Sequence, residues 1–476
     1  MESNSQPTND APGGYREVLA ISVPLILSTS SMSLMHVVDR IFLSWYSPEA
    51  LAAALPAGAA SWALLSLFIG ASGYVSTFVS QYDGAGRPER IGAAMWQGIY
   101  FSAIASVLCA LMYFVGEPLF HLANHPPAVR ENEIICFQVM TVGGGASVFA
   151  ASLSAFYSGR GKTSVVMWVN FGGALLNAVL DYLWIFGKGG FPEWGIFGAA
   201  LASVVAPAVM CVAYLFLLFL PANRLTYHTL SAWRFEKDLF GRLLRFGLPG
   251  GLQFMIDVSA FTTFVLLIGR LGEIELAASN VAFAINQLIF MPMVGLSLGT
   301  SVLVGRYLGA ETPDIAASST LRSLWLAMAY MGGFSLAIFL WPDAFIAVFD
   351  PGNEETDFHA VQKLTRRLLY FVAAYSVLDA LNIVFSSALK GAGDTRFVSL
   401  TALCVAFTVL VVPVYLSCVV YGRGIYTAWF FLSLWVVALA TVFWLRFQGG
   451  KWRSMRVIEH YPAPAAAVQE GPVVDV

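Results

Sequence analysis

The sequence has little charge. Only 12% of its 476 residues are Asp, Glu, Lys or Arg, about half of the roughly 25% that is typical of soluble domains. The net charge of −3 gives no reason to expect a nucleic-acid partner. The five cysteines lie in or beside apolar segments without paired spacing, which favours packing roles over disulfides or metal ligands.

Signatures of catalysis are also missing. The six histidines are scattered, and the sequence has no H-E-x-x-H, Walker or G-x-S-x-G motif. Nothing in the sequence resembles an ATP-binding domain. We therefore predict a protein that is not an enzyme and has no cofactor. The first 14 residues lack the basic region of a signal peptide, so we expect no cleavage.

Long apolar stretches are abundant, because 58% of the residues are hydrophobic. About 20 such residues cross the roughly 30 Å hydrocarbon core of a bilayer as a helix. The sequence therefore predicts an all-α integral membrane protein with twelve transmembrane helices. The predicted spans are approximately 18–45, 52–80, 93–115, 134–158, 164–187, 195–220, 243–269, 275–305, 318–342, 366–390, 396–420 and 424–447.

The basic residues predict the orientation. If the N-terminus is cytoplasmic, 18 of the 26 lysines and arginines lie on the cytoplasmic side and seven lie outside, with Arg40 inside the first span. This bias follows the positive-inside rule. We therefore expect both termini in the cytoplasm of a multi-pass protein of the bacterial inner membrane.

An internal repeat divides the chain. At a shift of 225 residues, identical residues align without gaps in three telling pairs: Pro24 with Pro249, Tyr82 with Tyr307 and Pro88 with Pro313. Six spans separate the halves, so the repeats are parallel and form two six-helix bundles. The predicted parts are a tail 1–16, an N-lobe 17–221, a linker 222–241, a C-lobe 242–447 and a tail 448–476.

Four acids lie well inside predicted spans, two in each half: Asp39, Asp181, Asp257 and Asp379. An ionised carboxylate at the bilayer centre costs roughly 2.5–3.5 kcal/mol even on the lenient insertion scale. Burial disfavours the charged form, so such an acid can exchange a proton or a cation as its surroundings alternate between dry and wet. A purely structural role in helix-to-helix hydrogen bonding is the alternative.

Polar and aromatic residues accompany these acids at helical spacing. Asn177 lies one turn from Asp181, and its oxygen suits a cation such as Na⁺, so Asp39, Asn177 and Asp181 form a candidate Na⁺ site. Aromatic side chains near Asp379 can stack on a flat cation, although ordinary packing is the simpler interpretation. The candidate substrate-contacting residues are His36, Gln253, Asn280, Phe371, Tyr375 and Asn382.

The sequence resembles the MATE family of multidrug and toxic compound exporters, in its bacterial NorM-like and DinF-like branches. The resemblance extends from about Val18 to Phe447. Its strongest pieces are VPLILSTSSMSLMHVVDRIFL, FVSQYDGAGRPE, LNAVLDYLWIFG, GLSLGTSVLVGRYLGA and DALNIVFSSALKGAGDT. It implies the fold of the MOP superfamily, with a central cavity that opens to alternate sides. It also implies antiport of cationic, amphipathic drugs or metabolites against Na⁺ or H⁺.

The resemblance also assigns site residues. Asp39 matches the first-helix acid of the family, and Asn177 with Asp181 match the fifth-helix pair. Asp379 matches the tenth-helix acid of the NorM-like branch. Asp257 stands where that branch usually has Glu, so the Na⁺ geometry of Glu-bearing members does not transfer directly.

Two rival functions remain at this point. A lipid-linked oligosaccharide flippase of the same superfamily would share the repeat, but basic residues in its cavity would be expected. An intramembrane enzyme would need paired acids or histidines at one membrane face, whereas these acids belong to separate lobes. We expect a monomer in contact with lipid, with small molecules as partners.

Overall fold

A computed structural model of the protein describes residues 12–123, 126–349 and 358–459. Within these residues, twelve helices are long and apolar enough to cross a membrane, and the predicted fold class is confirmed. The helices are α1 (Tyr15–Tyr46), α2 (Pro48–Gly84), α3 (Pro88–His121), α4 (Pro127–Ser158), α5 (Thr163–Ile185), α6 (Gly195–Leu218), α7 (Lys237–Gly269), α8 (Glu273–Gly309), α9 (Pro313–Leu340), α10 (His359–Ala392), α11 (Thr395–Val420) and α12 (Ile425–Gln448).

The twelve helices form two lobes with the same internal arrangement. In the N-lobe (α1–α6), α1 packs on α5, and α4 packs on α2, α3 and α6. In the C-lobe (α7–α12), α7 packs on α11, and α10 packs on α8, α9 and α12. Adding six to each helix number of the first set gives the second set. This is the arrangement expected of two copies of one six-helix unit.

The repeat extends to the backbone of the turns. Pro88 and Pro313 start α3 and α9 after equivalent loops. Gly86 in the first loop has φ = 67°, and Glu311, 225 residues later, has φ = 60°. A non-glycine residue in this left-handed region costs roughly 1–2 kcal/mol. Glu311 therefore adopts a strained conformation because the turn of the repeat requires it.

The lobes meet along two equivalent helix pairs, α2 with α7 and α1 with α8, and the last part of α2 also packs on α8. Small residues allow the backbones to approach closely, as is common between membrane helices. A Cβ atom at Gly70 would lie 2.8 Å from Gly251 Cα, and one at Gly295 would lie 2.5 Å from Ile26 Cα. Gly251 and Ile26 lie in the first halves of α7 and α1. The lobes are therefore closed at the end of the bundle where α1 and α7 begin, which we call the terminal end.

The segment after α12 lies across both lobes at the terminal end. Glu459 pairs with Arg87 and Arg90 of the N-lobe, each at 3.3 Å, and with Arg242 of the C-lobe at 2.6 Å. Burial alone would raise the pKa of Glu459, but hydrogen bonds from Tyr82 and Arg242 outweigh it and lower the pKa to about 2. The carboxylate therefore stays ionised and links the lobes at neutral pH.

The predicted linker, 222–241, overlaps the short helix Pro221–Tyr227 and includes the first turn of α7. It is attached to α3, because Trp96 Nε1 donates a hydrogen bond to the carbonyl of Thr229 at 2.7 Å. The tails 1–11 and 460–476, His125 and the acidic loop 350–357 lie outside the described residues.

Candidate functional site

Three N-lobe residues predicted as an ion site come together in the structure. α1 carries Asp39, and α5 carries Asn177 and Asp181 one turn apart. The Asn177 Nδ2 group donates to Asp39 Oδ1 at 2.9 Å and to Asp181 Oδ2 at 2.5 Å. One amide therefore bridges two carboxyl groups from neighbouring helices. We call Asp39, Asn177 and Asp181 the N-lobe acid cluster.

The N-lobe acid cluster leaves oxygen atoms unsatisfied. Asn177 and Asp181 are fully buried, and their Oδ1 atoms have no hydrogen-bond partner within the described part of the chain. Buried polar atoms normally have a hydrogen-bond partner, so two unpaired oxygen atoms in one cluster indicate a place where a ligand can bind. Carboxylate and amide oxygens are hard ligands suited to a hard cation, and a carboxylate can also take a proton. Among residues 12–123, 126–349 and 358–459, no group of three or more His, Cys, Asp or Glu side chains is arranged to hold a metal ion. Binding a proton or a hard cation at this cluster does not require such a group.

Further polar contacts position the cluster. Seven residues before Asn177, Asn170 donates from Nδ2 to Ser28 Oγ in α1 at 2.6 Å and accepts from Tyr214 in α6 at 3.0 Å. These contacts fix the polar face of α5 against its neighbours. The predicted substrate residue His36 lies beside the cluster, with Nδ1 3.7 Å from Asp39 Oδ2, but its side chain is half exposed.

The first C-lobe acid has a different environment. Asp257 in α7 accepts a hydrogen bond from Nε2 of Gln253, one turn earlier. The Oε1 atom of the same amide accepts a hydrogen bond from the Lys390 ammonium of α10 at 3.2 Å. A carboxylate only accepts and an ammonium only donates, so these neighbours fix the orientation of the amide. Gln253 thus joins an acid to a base.

The second C-lobe acid is held separately. Asp379 is buried in α10 and accepts a hydrogen bond from Asn382 Nδ2 at 2.9 Å. No hydrogen bond joins Asp379 to Asp257 in the part of the chain that the structure describes. The C-lobe acids therefore do not share one amide as the N-lobe acids do.

The remaining predicted substrate residues are spread along the C-lobe. Tyr375 is buried one turn from Asp379. Phe371 is half-buried, and its ring centroid lies 6.4 Å from that of Trp429 in α12. Asn280 is exposed on α8. The geometry brings Tyr375 and Asn382 to Asp379, but it does not bring Asn280 into this group.

Lys390 is the functional candidate that sequence reasoning misses. The count of basic residues assigns it to the cytoplasmic side, so it is not among the predicted site residues. Its backbone does lie two residues from the end of α10, but its side chain reaches Gln253. One signal was available: Lys390 follows Asp379 by 11 residues, about three helical turns, so both lie on one face of α10.

Comparison with known families gives a match in both lobes. A family model described as MatE matches residues 24–183 and 249–416. The two matched ranges start 225 residues apart, which is the shift of the internal repeat. A probable multidrug resistance protein NorM of Xanthomonas axonopodis pv. citri is 30% identical over 410 residues, which cover 83% of this chain and 86% of the relative. The multidrug resistance protein NorM of Burkholderia vietnamiensis is 27% identical over 391 residues, or 80% of this chain and 82% of the relative.

Solved structures share the architecture. A crystal structure of MATE in complex with MaL6 superposes with a TM-score of 0.84 at 20% identity, covering 93% of this chain and 97% of that one. A multidrug resistance MATE transporter of the MOP superfamily in an outward-facing conformation gives a TM-score of 0.83 at 20% identity, with 92% and 96% covered. At this identity the likeness shows the fold alone.

Proposed function

The chain belongs to the MATE family of membrane transporters, and from this premise we propose that it exports cationic amphipathic compounds in exchange for Na⁺ or H⁺. It is a multi-pass membrane protein and a multidrug efflux transporter that needs no enzymatic activity. The curated relatives are multidrug resistance proteins, which supports small molecules as its substrates.

The N-lobe acid cluster is the observation that carries the proposed antiport. Two acids from α1 and α5 share the amide of Asn177, and two buried oxygen atoms remain unpaired. A proton or Na⁺ that binds there satisfies these atoms and neutralises negative charge inside the membrane. The acids lose this ligand again when the cluster opens to water of lower ion concentration, which couples transport to the ion gradient.

Alternating access follows from how the lobes meet. Tight backbone contacts and the ion pairs of Glu459 close the terminal end. The hydrogen bond from Thr29 Oγ1 to the carbonyl of Met291 and the edge contact of Trp62 with Phe254 also join the lobes, near the middle of the helices. Beyond it, α1 is largely exposed, with side chains such as Leu34 at 63% and Val37 at 45%. We take this as the state open at the end opposite the termini, and the transport cycle reverses it.

The C-lobe acids are the proposed contacts for the organic cation. Asp379 lies one turn from Tyr375, and Asp257 is one turn from Phe261, which is 39% exposed. A carboxylate near an aromatic face suits a flat, positively charged molecule. This assignment gives the ion and the drug separate sites, one in each lobe.

The direct test is ethidium efflux from proteoliposomes with Na⁺ and pH gradients imposed separately. We expect one gradient to drive efflux, and Asp181→Asn to abolish it at equal protein content. Asp343→Asn is the matched control, because Asp343 is a half-exposed acid paired with Arg366 beyond the end of α9. Gradient-independent efflux, or full activity of Asp181→Asn, would overturn the proposal.

The orientation is tested by cysteine labelling. We propose that the terminal end faces the cytoplasm of a bacterial inner membrane, as the basic residues indicate. In a cysteine-free background, a cysteine at exposed Ser231 should react with a membrane-impermeant maleimide only after lysis, and one at exposed Lys188 should react in intact cells. Labelling of position 231 from outside would reverse the orientation.

A further inference from the structure

Lys390 connects the first C-lobe acid to the contact between the lobes. Its ammonium binds Gln253, which binds Asp257. Its backbone carbonyl accepts a hydrogen bond from the Tyr74 hydroxyl of the N-lobe at 2.7 Å. A single residue therefore contacts the acid site with its side chain and the opposite lobe with its backbone.

The last turn of α10 is held firmly at this point. The carbonyl of Gly391 accepts a hydrogen bond from Gln81 Nε2 of the N-lobe at 3.0 Å. A Cβ atom at Gly391 would lie 2.5 Å from the carbonyl oxygen of Ser301 in α8. Carbonyls in the last turn of a helix lack partners within the regular helix, and here the N-lobe donates to two of them, those of Lys390 and Gly391. The last turn of α10 is thus one of the segments that hold the two lobes together at the terminal end.

The charges of Lys390 and Asp257 affect how a transported cation can bind. In the closed arrangement the positive Lys390 side chain faces the negative Asp257 through one amide, so the acid already has a cation of the protein's own. A second cation at Asp257 would sit close to the ammonium and be repelled by it in a medium of low dielectric constant. The two positive groups therefore compete for one carboxylate.

We propose that Lys390 is the internal counter-cation of Asp257, which a transported organic cation must displace. The inference rests on the proposed export of cationic compounds and adds a positioning residue to it. When Lys390 leaves Gln253, the last turn of α10 loses one of its contacts within the C-lobe, and its hydrogen bonds to Tyr74 and Gln81 weaken. Substrate binding then favours separation of the lobes at the terminal end.

The first test is ethidium affinity of the purified full-length protein, measured by fluorescence. Lys390→Met removes the competing charge but keeps the side-chain length, so we expect ethidium to bind about fivefold tighter or more. Lys390→Arg should stay near wild type, because it restores the charge. Lys363→Met is the matched control, since Lys363 is exposed near the other end of α10. In an Asp257→Asn background, Lys390→Met should change affinity little.

The second test needs no substrate. Spin labels at Glu89 and Leu321, exposed residues of the N-lobe and C-lobe near the terminal end, report the distance between the lobes in a cysteine-free protein. Lys390→Met should broaden this distance distribution toward longer values, and Lys363→Met should not. If Lys390→Met cannot be purified, Lys390→Gln keeps a hydrogen bond without the charge.

The outcomes separate the two proposals. If wild-type protein neither binds nor exports ethidium, the proposed function fails, and the spin-label comparison still tests Lys390. If wild-type protein binds ethidium but Lys390→Met leaves either the affinity or the distance distribution unchanged, the role of Lys390 as counter-cation is refuted.

Discussion

The two lobes share one architecture but arrange their acids differently. In the N-lobe, Asp39 and Asp181 meet on one amide, and two buried oxygen atoms stay unpaired. In the C-lobe, Asp257 and Asp379 have separate amides, and Lys390 supplies a positive charge to the first. Unpaired buried oxygen atoms suit a small ion that they can coordinate. An acid whose charge is already balanced by Lys390, and which lies near aromatic rings, suits a larger cation that also gains free energy from contacts with those rings.

The largest expected effect concerns the N-lobe acid cluster. Asp39→Asn and Asp181→Asn should each reduce gradient-driven ethidium efflux to the background of protein-free vesicles, because an amide keeps the shape but exchanges no proton or cation. Both variants should remain folded, as judged by size-exclusion profile and thermal unfolding. Normal drug resistance of cells expressing either variant at wild-type levels would show that the acid is structural.

A smaller effect should distinguish the C-lobe. Asp379→Asn should weaken ethidium binding about tenfold, which corresponds to roughly 1.4 kcal/mol for one lost charge contact, yet preserve the change in tryptophan fluorescence induced by Na⁺ or pH. Asp39→Asn should do the reverse. If Asp379→Asn erased the ion response and spared ethidium affinity, the lobes would have to exchange roles.

An acid outside both sites gives a third, smaller effect. Glu459→Gln should lower the thermal unfolding temperature at pH 7 without changing which gradient drives efflux, because Glu459 links the lobes but contacts neither acid site. The folded-state pKa of Glu459, about 2, lies below the ordinary 4.5. Its stabilisation is therefore complete above pH 4.5 and is lost as the pH falls toward 2. The difference between wild type and Glu459→Gln should be constant from pH 6 to 8 and shrink in more acidic buffer.

The smallest effect is expected at the rim of the N-lobe acid cluster. His36 is half exposed and lies 3.7 Å from Asp39, and exposed ion pairs contribute only about 0–1 kcal/mol. His36→Gln should change the apparent ion affinity of ethidium efflux by about threefold or less. A loss as large as that of Asp39→Asn would place His36 inside the ion site.

Much of this arrangement is predictable from the sequence, and the reasons for the exceptions are physical. Apolar segments long enough to cross a bilayer predict the helices, and the cost of a buried charge marks all four intramembrane acids as candidates. The neighbour Asn177 is predictable because helical spacing places it one turn from Asp181. Its bond to Asp39 depends on how α1 packs against α5, which spacing within one helix does not determine.

The exceptions are contacts between distant parts of the chain. Glu459 lies in a segment that the sequence marks only as a tail, yet it binds Tyr82, 377 residues away. A lysine at the position of Lys390 is expected at the cytoplasmic end of a helix, because basic residues are common there. Only the position of α7 relative to α10 in the folded protein shows that the long side chain of Lys390 extends inward to Gln253.

Ion binding in the absence of drug tests the division of labour between the lobes most directly. On purified protein, ²²Na⁺ binding by scintillation proximity and proton uptake by a pH indicator would be compared in two double variants. Asp39→Asn with Asp181→Asn should lose the ion that drives efflux, whereas Asp257→Asn with Asp379→Asn should bind it with wild-type affinity. Retention of ion binding in the first variant together with its loss in the second would contradict the assignment of the coupling ion to the N-lobe.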